Sequence, residues 1–236
     1  MLTFATMSIL LHIDTSTKLC SVAIAKDGVL LSLKEEYDEQ YSHAEKLNVF
    51  IEAAVAEAKI SLADLSAIAV SKGPGSYTGL RIGVSTAKGL CFGLNLPLIA
   101  VDTLQALSYG AQSTHPELAA DALLCPMLDA RRMEVYSQIF DTKGQEIRSI
   151  EAQIIDAQSF ITLTQNLYLF GDGAQKCLET LSAQSNIHFL PNIQTSAQWM
   201  IAIAQQKFTT QHFEDVAYFE PFYLKDFIGG PKKMEK

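Results

Sequence analysis

The sequence predicts an α/β protein of two duplicated lobes, each a mixed sheet flanked by helices. Three observations lead to that class. Short apolar runs end in a carboxylate at Asp14 and at Asp129, each run is followed by an alternating hairpin, and strand-like and helix-like segments then alternate. The 236 residues suffice for two lobes of ordinary size. Apolar residues make up 48% and charged residues 19%, a balance that excludes a disordered or collagen-like chain.

Residues 9–14 (ILLHID) read as a buried strand stopped by the turn formers Thr15-Ser16-Thr17. Cys20 to Ala25 alternates, Asp27-Gly28 supplies the positive-φ turn of a two-residue hairpin, and Val29 to Leu33 completes three antiparallel strands. Ser42 and Glu45 have the spacing of a capping box, and apolar positions 44, 47, 50, 51, 54, 55 and 58 follow as one amphipathic helix. Ala67 to Val70 is apolar on both faces, as in a central parallel strand. A glycine-rich loop, Lys72 to Gly79, leads into a helix to Leu94 with glycines at 79, 83, 89 and 93, whose spacing permits close packing. After Pro97 come a strand at 98–101 and a helix from about Leu104, capped by Asp102 or Thr103.

The second half echoes the first. Leu123 to Leu128 ends at Asp129, Met133 to Phe140 alternates, Lys143-Gly144 turns, and 145–150 forms a third strand. The Asp14–Gly28 and Asp129–Gly144 separations differ by one residue. A strand at 167–170, the turn Gly171-Asp172-Gly173, a helix at 174–182 and a last helix at 197–208 complete the chain. Three antiparallel strands, then helix, strand and helix, twice over, point to the actin-like ATPase (ribonuclease H-like) fold. The lobes are expected at 1–104 and 105–236, the last helices packing back on the first lobe.

A net charge of −8 argues against independent nucleic-acid binding, which rests on cations neutralising phosphates. Lys232, Lys233 and Lys236 read as a solvated tail. Cys20, Cys91, Cys125 and Cys177 are scattered without a CxxC, which disfavours disulfides and zinc. No apolar run reaches the roughly 18 residues of a membrane span, and no basic segment precedes the apolar start. A cytoplasmic protein with neither signal peptide nor anchor is the expectation.

Asp14 and Asp129, at strand ends of two related lobes, would face each other across a cleft and hold a metal nucleotide through water; otherwise each is a turn former. Nucleotide-binding candidates are Asp14, Thr15 and Ser16 in the first turn and Gly171, Asp172 and Gly173 in the later one. The first turn lacks the glycine that lets backbone amides approach phosphate, which weakens phosphoryl transfer. The Gly73–Gly79 loop with Arg81 reads either as an anion nest or as glycines that let a turn and a buried helix pack; it is neither a Walker A motif nor GxGxxG. The five histidines lack helical metal-ligand spacing. No catalytic residue and no metal site is assigned.

IDTSTKLCSVAIAKDG, SHAEKL, AVSKGPGSYTGLRIGVSTAKGL, LPLIAVDTLQAL, DARRMEVY and PFYLK together resemble the TsaB (YeaZ) family of bacterial tRNA threonylcarbamoyladenosine biosynthesis proteins, paralogues of TsaD. The resemblance is strongest from about 9 to 110. TsaD carries an HxxxH metal pair just after the strand matching 98–101; Thr103 and Leu107 stand there in this chain, and neither is a metal ligand. The resemblance therefore implies a non-catalytic subunit that pairs with TsaD and, with the ATPase TsaE, supports threonylcarbamoyl transfer to the adenosine beside the anticodon. It implies no required cofactor, leaves room for ATP or ADP at the complex, and gives contact with tRNA only through the complex. A homodimer is expected when the chain is alone. The pairing surface would lie on helices 43–58 and 79–93, with His43, Leu47, Phe50, Gly79, Leu80, Gly83, Val84 and Ala87 as candidates. The alternative is an actin-fold kinase or nucleotide hydrolase using Asp14 and Asp129.

Overall fold

A computed structural model describes residues 7–38 and 43–225. Ser42 of the capping box, residues 1–6 and the lysines of the tail lie outside the described residues.

The first lobe opens with β1 (Ile9–Asp14), β2 (Leu19–Lys26) and β3 (Val29–Tyr37), followed by α1 (His43–Glu57), β4 (Ala67–Gly73), α2 (Tyr77–Leu94) and β5 (Leu98–Asp102). Its sheet has the order β3-β2-β1-β4-β5, with β1 antiparallel to β2 and parallel to β4. The Asp27-Gly28 turn has the two positive φ angles, 49° and 78°, that the hairpin requires. Alternation along β1 divides the core. Leu11 and Ile13 face α1 and α2 with Ile51, Val70 and Val84, whereas Leu10 faces the opposite side with Ala69, Ile99 and Val101.

The second lobe repeats the plan with α3 (Thr103–Thr114), β6 (Leu123–Asp129), β7 (Glu134–Asp141), β8 (Glu146–Ile154), β9 (Leu167–Phe170), α4 (Leu178–Leu181) and β10 (Ile187–Phe189). Its order is β10-β9-β6-β7-β8, with β6 antiparallel to β7 and parallel to β9. Read from the other edge this is the first sheet again, the duplicated actin-like architecture. α3 packs Leu104, Leu107 and Ala111 against Leu124 and Phe170 of the second sheet. The last helix, α5 (Ile201–Thr209), with the 3-10 turn Ala197–Met200 before it, lies on the first sheet, where Met200 and Ala204 meet Leu10 and Val101.

Local expectations are corrected in three places. The helix predicted at 174–182 is one 3-10 turn (Gln175–Cys177) and one α turn (α4), with Cys177 and Leu181 buried. β10 was not anticipated, because three half-buried residues carry no readable period. Asp102 stands at the N-cap of α3 without a capping bond; its carboxylate pairs instead with Lys72 at 3.0 Å. Among the described residues no helix is long and apolar enough to cross a membrane.

Candidate functional site

Between the lobes lies a cleft of about 1130 Å³. The turn after β1 and the glycine-rich loop before α2 form one wall; the turns after β6 and β9 and the 190–195 segment form the other. Residues 222–225 also line it.

The β1 turn is occupied by its own chemistry. Ser16 donates its amide (2.9 Å) and hydroxyl (2.6 Å) to one oxygen of Asp14. Thr15 donates its hydroxyl to the Gly79 carbonyl at 2.7 Å, and the Thr17 hydroxyl bonds that of Thr195 at 2.7 Å. The glycine-rich loop is wedged against the same turn. Ser76 donates its amide to the Ser16 carbonyl at 2.7 Å, while a β-carbon on Gly75 or Gly79 would collide with the Ser16 or Thr15 carbonyl oxygen. Close packing therefore shapes this loop, and its Ser76 amide is taken up by the Ser16 carbonyl.

Asp14 does not face the cleft. It is 1% exposed, its Oδ2 has no hydrogen-bond partner, and burial pushes its carboxyl above the usual range, against the pull of Ser16, Ser71 and the charge of His43. His43 is itself buried and bonds the Thr17 carbonyl at 2.7 Å through Nε2, which must carry the proton because a carbonyl only accepts. Asp129 is exposed at the cleft wall, paired with Lys176 and accepting the Arg131 amide at 3.0 Å. The two carboxylates are thus not the open, facing pair that the strand ends suggested.

The later turn also serves packing. Gly171 has φ +96°, and a β-carbon there would collide with the Met127 carbonyl, while one on Gly173 would press on Leu128. Asp172 accepts the Asp129 amide at 3.0 Å. Partial desolvation raises its carboxyl pKa, and the nearby Asp129 charge adds to this, while that amide and the Lys176 and Lys18 charges oppose it.

The residues present do not fit the TsaD metal. Thr103 is buried with its hydroxyl 2.7 Å from that of Ser71, and Leu107 is buried among Leu104, Leu128 and Phe170. An engaged hydroxyl and an alkyl group offer a cation no ligand set.

The proposed pairing residues need correction as contact groups. His43, Leu47, Gly79, Leu80, Gly83, Val84 and Ala87 are buried within the chain, and Phe50 is half-buried against the first core. They form the inner faces of α1 and α2, because that stripe covers the sheet. The outer face of the same helices carries Val49 at 59% exposure and Phe92 at 87%, with Ser85, Gly89 and Gly93 also exposed. A β-carbon on Gly89 or Gly93 would meet nothing within 4 Å.

A segment without readable periodicity crosses the cleft. Tyr223 lies on Tyr77 with ring centroids 4.9 Å apart, and Lys225 reaches both oxygens of Glu134 at 2.7 Å. Such contacts join residues far apart in the chain and leave no local period; the PFYLK motif was their one signal.

Residues 38–226 match the family model described as TsaD, tRNA N6-adenosine threonylcarbamoyltransferase. The tRNA threonylcarbamoyladenosine biosynthesis protein TsaB of Haemophilus influenzae is 30% identical over 229 residues, 92% of this chain and 93% of its own length. Its counterpart in Escherichia coli K12 is 29% identical over 231 residues, 94% and 97% of the two chains. YeaZ from Pseudomonas aeruginosa, a solved structure, superposes with a TM-score of 0.78 at 28% identity, covering 92% of this chain and 100% of its own.

Proposed function

Because the chain belongs to the TsaB family, within the wider group that the TsaD model describes, we propose that it is the non-catalytic subunit of the tRNA threonylcarbamoyladenosine machinery, pairing with and stabilising TsaD. The observation that carries this reading is the outer face of α1 and α2, where large apolar side chains and bare glycines stand in solvent on two adjacent helices. Small residues let a partner helix approach, and exposed aromatics supply buried area on contact. TsaE joins the pair as its ATPase, and ATP or ADP binds at the complex. Alone, the chain forms a homodimer through the same face. It works in the cytoplasm and meets tRNA only through the complex.

The chemistry of the cleft supports a non-catalytic role. Its first-turn hydroxyls are bonded to protein partners, Asp14 is sealed, and the TsaD ligand positions hold Thr103 and Leu107. The test is to purify the chain alone and with TsaD and TsaE, then measure ATP turnover and threonylcarbamoyl transfer to tRNA. Transfer only in the mixture is expected. Robust ATP turnover by the isolated chain would favour the kinase alternative.

A further inference from the structure

The segment after α5 runs antiparallel along one flank of α2. Glu214 donates its amide to the Leu98 carbonyl at 2.9 Å, beyond the C-terminal end of the helix. Lys88, in the middle of α2, donates to the Ala217 and Phe219 carbonyls at 3.2 and 2.8 Å, and Tyr223 lies on Tyr77 in its first turn. Between these points residues 215–219 form a closed turn. One carboxylate oxygen of Asp215 accepts the Ala217 and Tyr218 amides at 2.8 and 3.2 Å, and the Phe219 amide donates to the Asp215 carbonyl at 2.8 Å. The half-buried Val216 and Phe219 pack on the first core.

That turn holds one large side chain in water. Tyr218 is 85% exposed although the backbone on both sides of it is fastened. Lys88 fixes its level on α2, and Phe92 stands four residues beyond Lys88, about 40° round the helix and so on the same flank. Phe92, at 87%, and Tyr218 are the two most exposed large apolar side chains among the described residues. A lone exposed ring is ordinary. Two on one flank, one of them carried by a turn already ordered, have the character of interface anchors, because a ring held ready adds buried area on contact with little freedom left to lose.

We propose that the 215–219 turn is a third element of the TsaD contact, in which Tyr218 is an anchor that extends the outer face of α1 and α2 past Phe92, and Lys88 is the positioning residue that presents it. The proposal rests on the reading that TsaD pairs through that outer face. A partner seated on Phe92 and the bare Gly89 and Gly93 reaches this flank at its edge, so one partner covers both rings.

Isothermal titration of TsaD into the full chain tests this, with sedimentation velocity of the chain alone beside it. Tyr218→Ala leaves the core and the hydrogen bonds of the turn in place, so it should melt with the original protein while raising the Kd for TsaD by about tenfold or more. Lys88→Met keeps the helix and frees the turn; it should raise the Kd by about threefold in the original background and change nothing further on top of Tyr218→Ala. Phe92→Ala is the reference for the outer face. Weakening by Phe92→Ala with unchanged affinity for Tyr218→Ala overturns the anchor and leaves the outer face standing; unchanged affinity in both overturns the outer face as well. A loss by Tyr218→Ala confined to self-association of the chain assigns the turn to a second copy and overturns the proposal. Equal weakening by Lys88→Met in both backgrounds overturns its positioning role.

Discussion

Thr15 and Gly79 meet at backbone distance: the Thr15 hydroxyl donates to the Gly79 carbonyl at 2.7 Å, and the Thr15 carbonyl fills the space that a Gly79 β-carbon would need. The contact fixes the first turn of α2 against the end of β1. Gly79→Ala should therefore destabilise the chain by about 1–3 kcal/mol, the range for overfilling a packed site. Gly89→Ala, on the same helix with open space around its β-carbon, should stabilise it by about 1 kcal/mol through helix propensity alone. Thermal melts of the two variants should shift in opposite directions, by roughly 2–4 °C per kcal/mol for a chain of this size.

His12 makes stability depend on pH. It is fully buried, its Nε2 has no hydrogen-bond partner, and burial lowers its pKa to about 4, with weak opposition from backbone bonds at Ala23 and Leu10. A depressed histidine pKa means that the unfolded chain takes up a proton first. The stabilisation is complete above the unfolded pKa of 6.5 and is lost as pH falls towards 4, about 3 kcal/mol in all by linkage. Asp14 acts in the opposite sense. Its raised pKa gives stability that is present below 3.8 and lost as pH rises through the folded value. Denaturant melts from pH 6.5 to 4 should show a flatter acid loss for His12→Gln and a steeper one for Asp14→Asn; parallel profiles for all three proteins would contradict both assignments.

The strands at 9–14, 67–73 and 98–102 were legible because strands buried on both faces read as apolar runs, and the repeated carboxylate-to-glycine spacing exposed the duplication. The direction of the α2 glycines was not. Gly79 and Gly83 share their four-residue spacing with Gly89 and Gly93, yet Gly89 lies ten positions from Gly79, about 80° round a helix of 3.6 residues per turn. One pair abuts Thr15 and the other faces solvent, a difference set by where the sheet lies. The sealing of Asp14 was hidden for a similar reason: Ser16 reads as a turn residue, and only the folded turn aims both its donors at the carboxylate.

The turn after β9 should tolerate chemical change better than geometric change. Gly171→Ala forces an L residue to φ +96° and drives its β-carbon into the Met127 carbonyl, so a loss above about 2 kcal/mol is expected. Asp172→Asn keeps an oxygen for the Asp129 amide and should be nearly neutral, whereas Asp172→Ala should lose about 1 kcal/mol. If these carboxylate variants matched Gly171→Ala in stability loss, a role beyond accepting that amide would be required.

The outer face of α2 offers the sharpest test of partnership, because it can be changed without disturbing the core. Phe92 is 87% exposed and a β-carbon on Gly89 meets nothing, so Phe92→Ala should melt close to the parent chain and Gly89→Arg, with its better helix propensity, no lower than the parent. Truncation of an aromatic anchor at an interface weakens binding by about 2 kcal/mol, roughly thirtyfold in Kd. Gly89→Arg should be more severe, since a long cation would stand where a partner helix must approach. Val84, inside the same helix at 3% exposure, supplies the contrast: Val84→Ala should lower the melting temperature while leaving the contact surface unchanged. Size-exclusion chromatography with TsaD then reads pairing directly. Co-elution at parental yield by both outer-face variants would move the interface away from α2, whatever their stability.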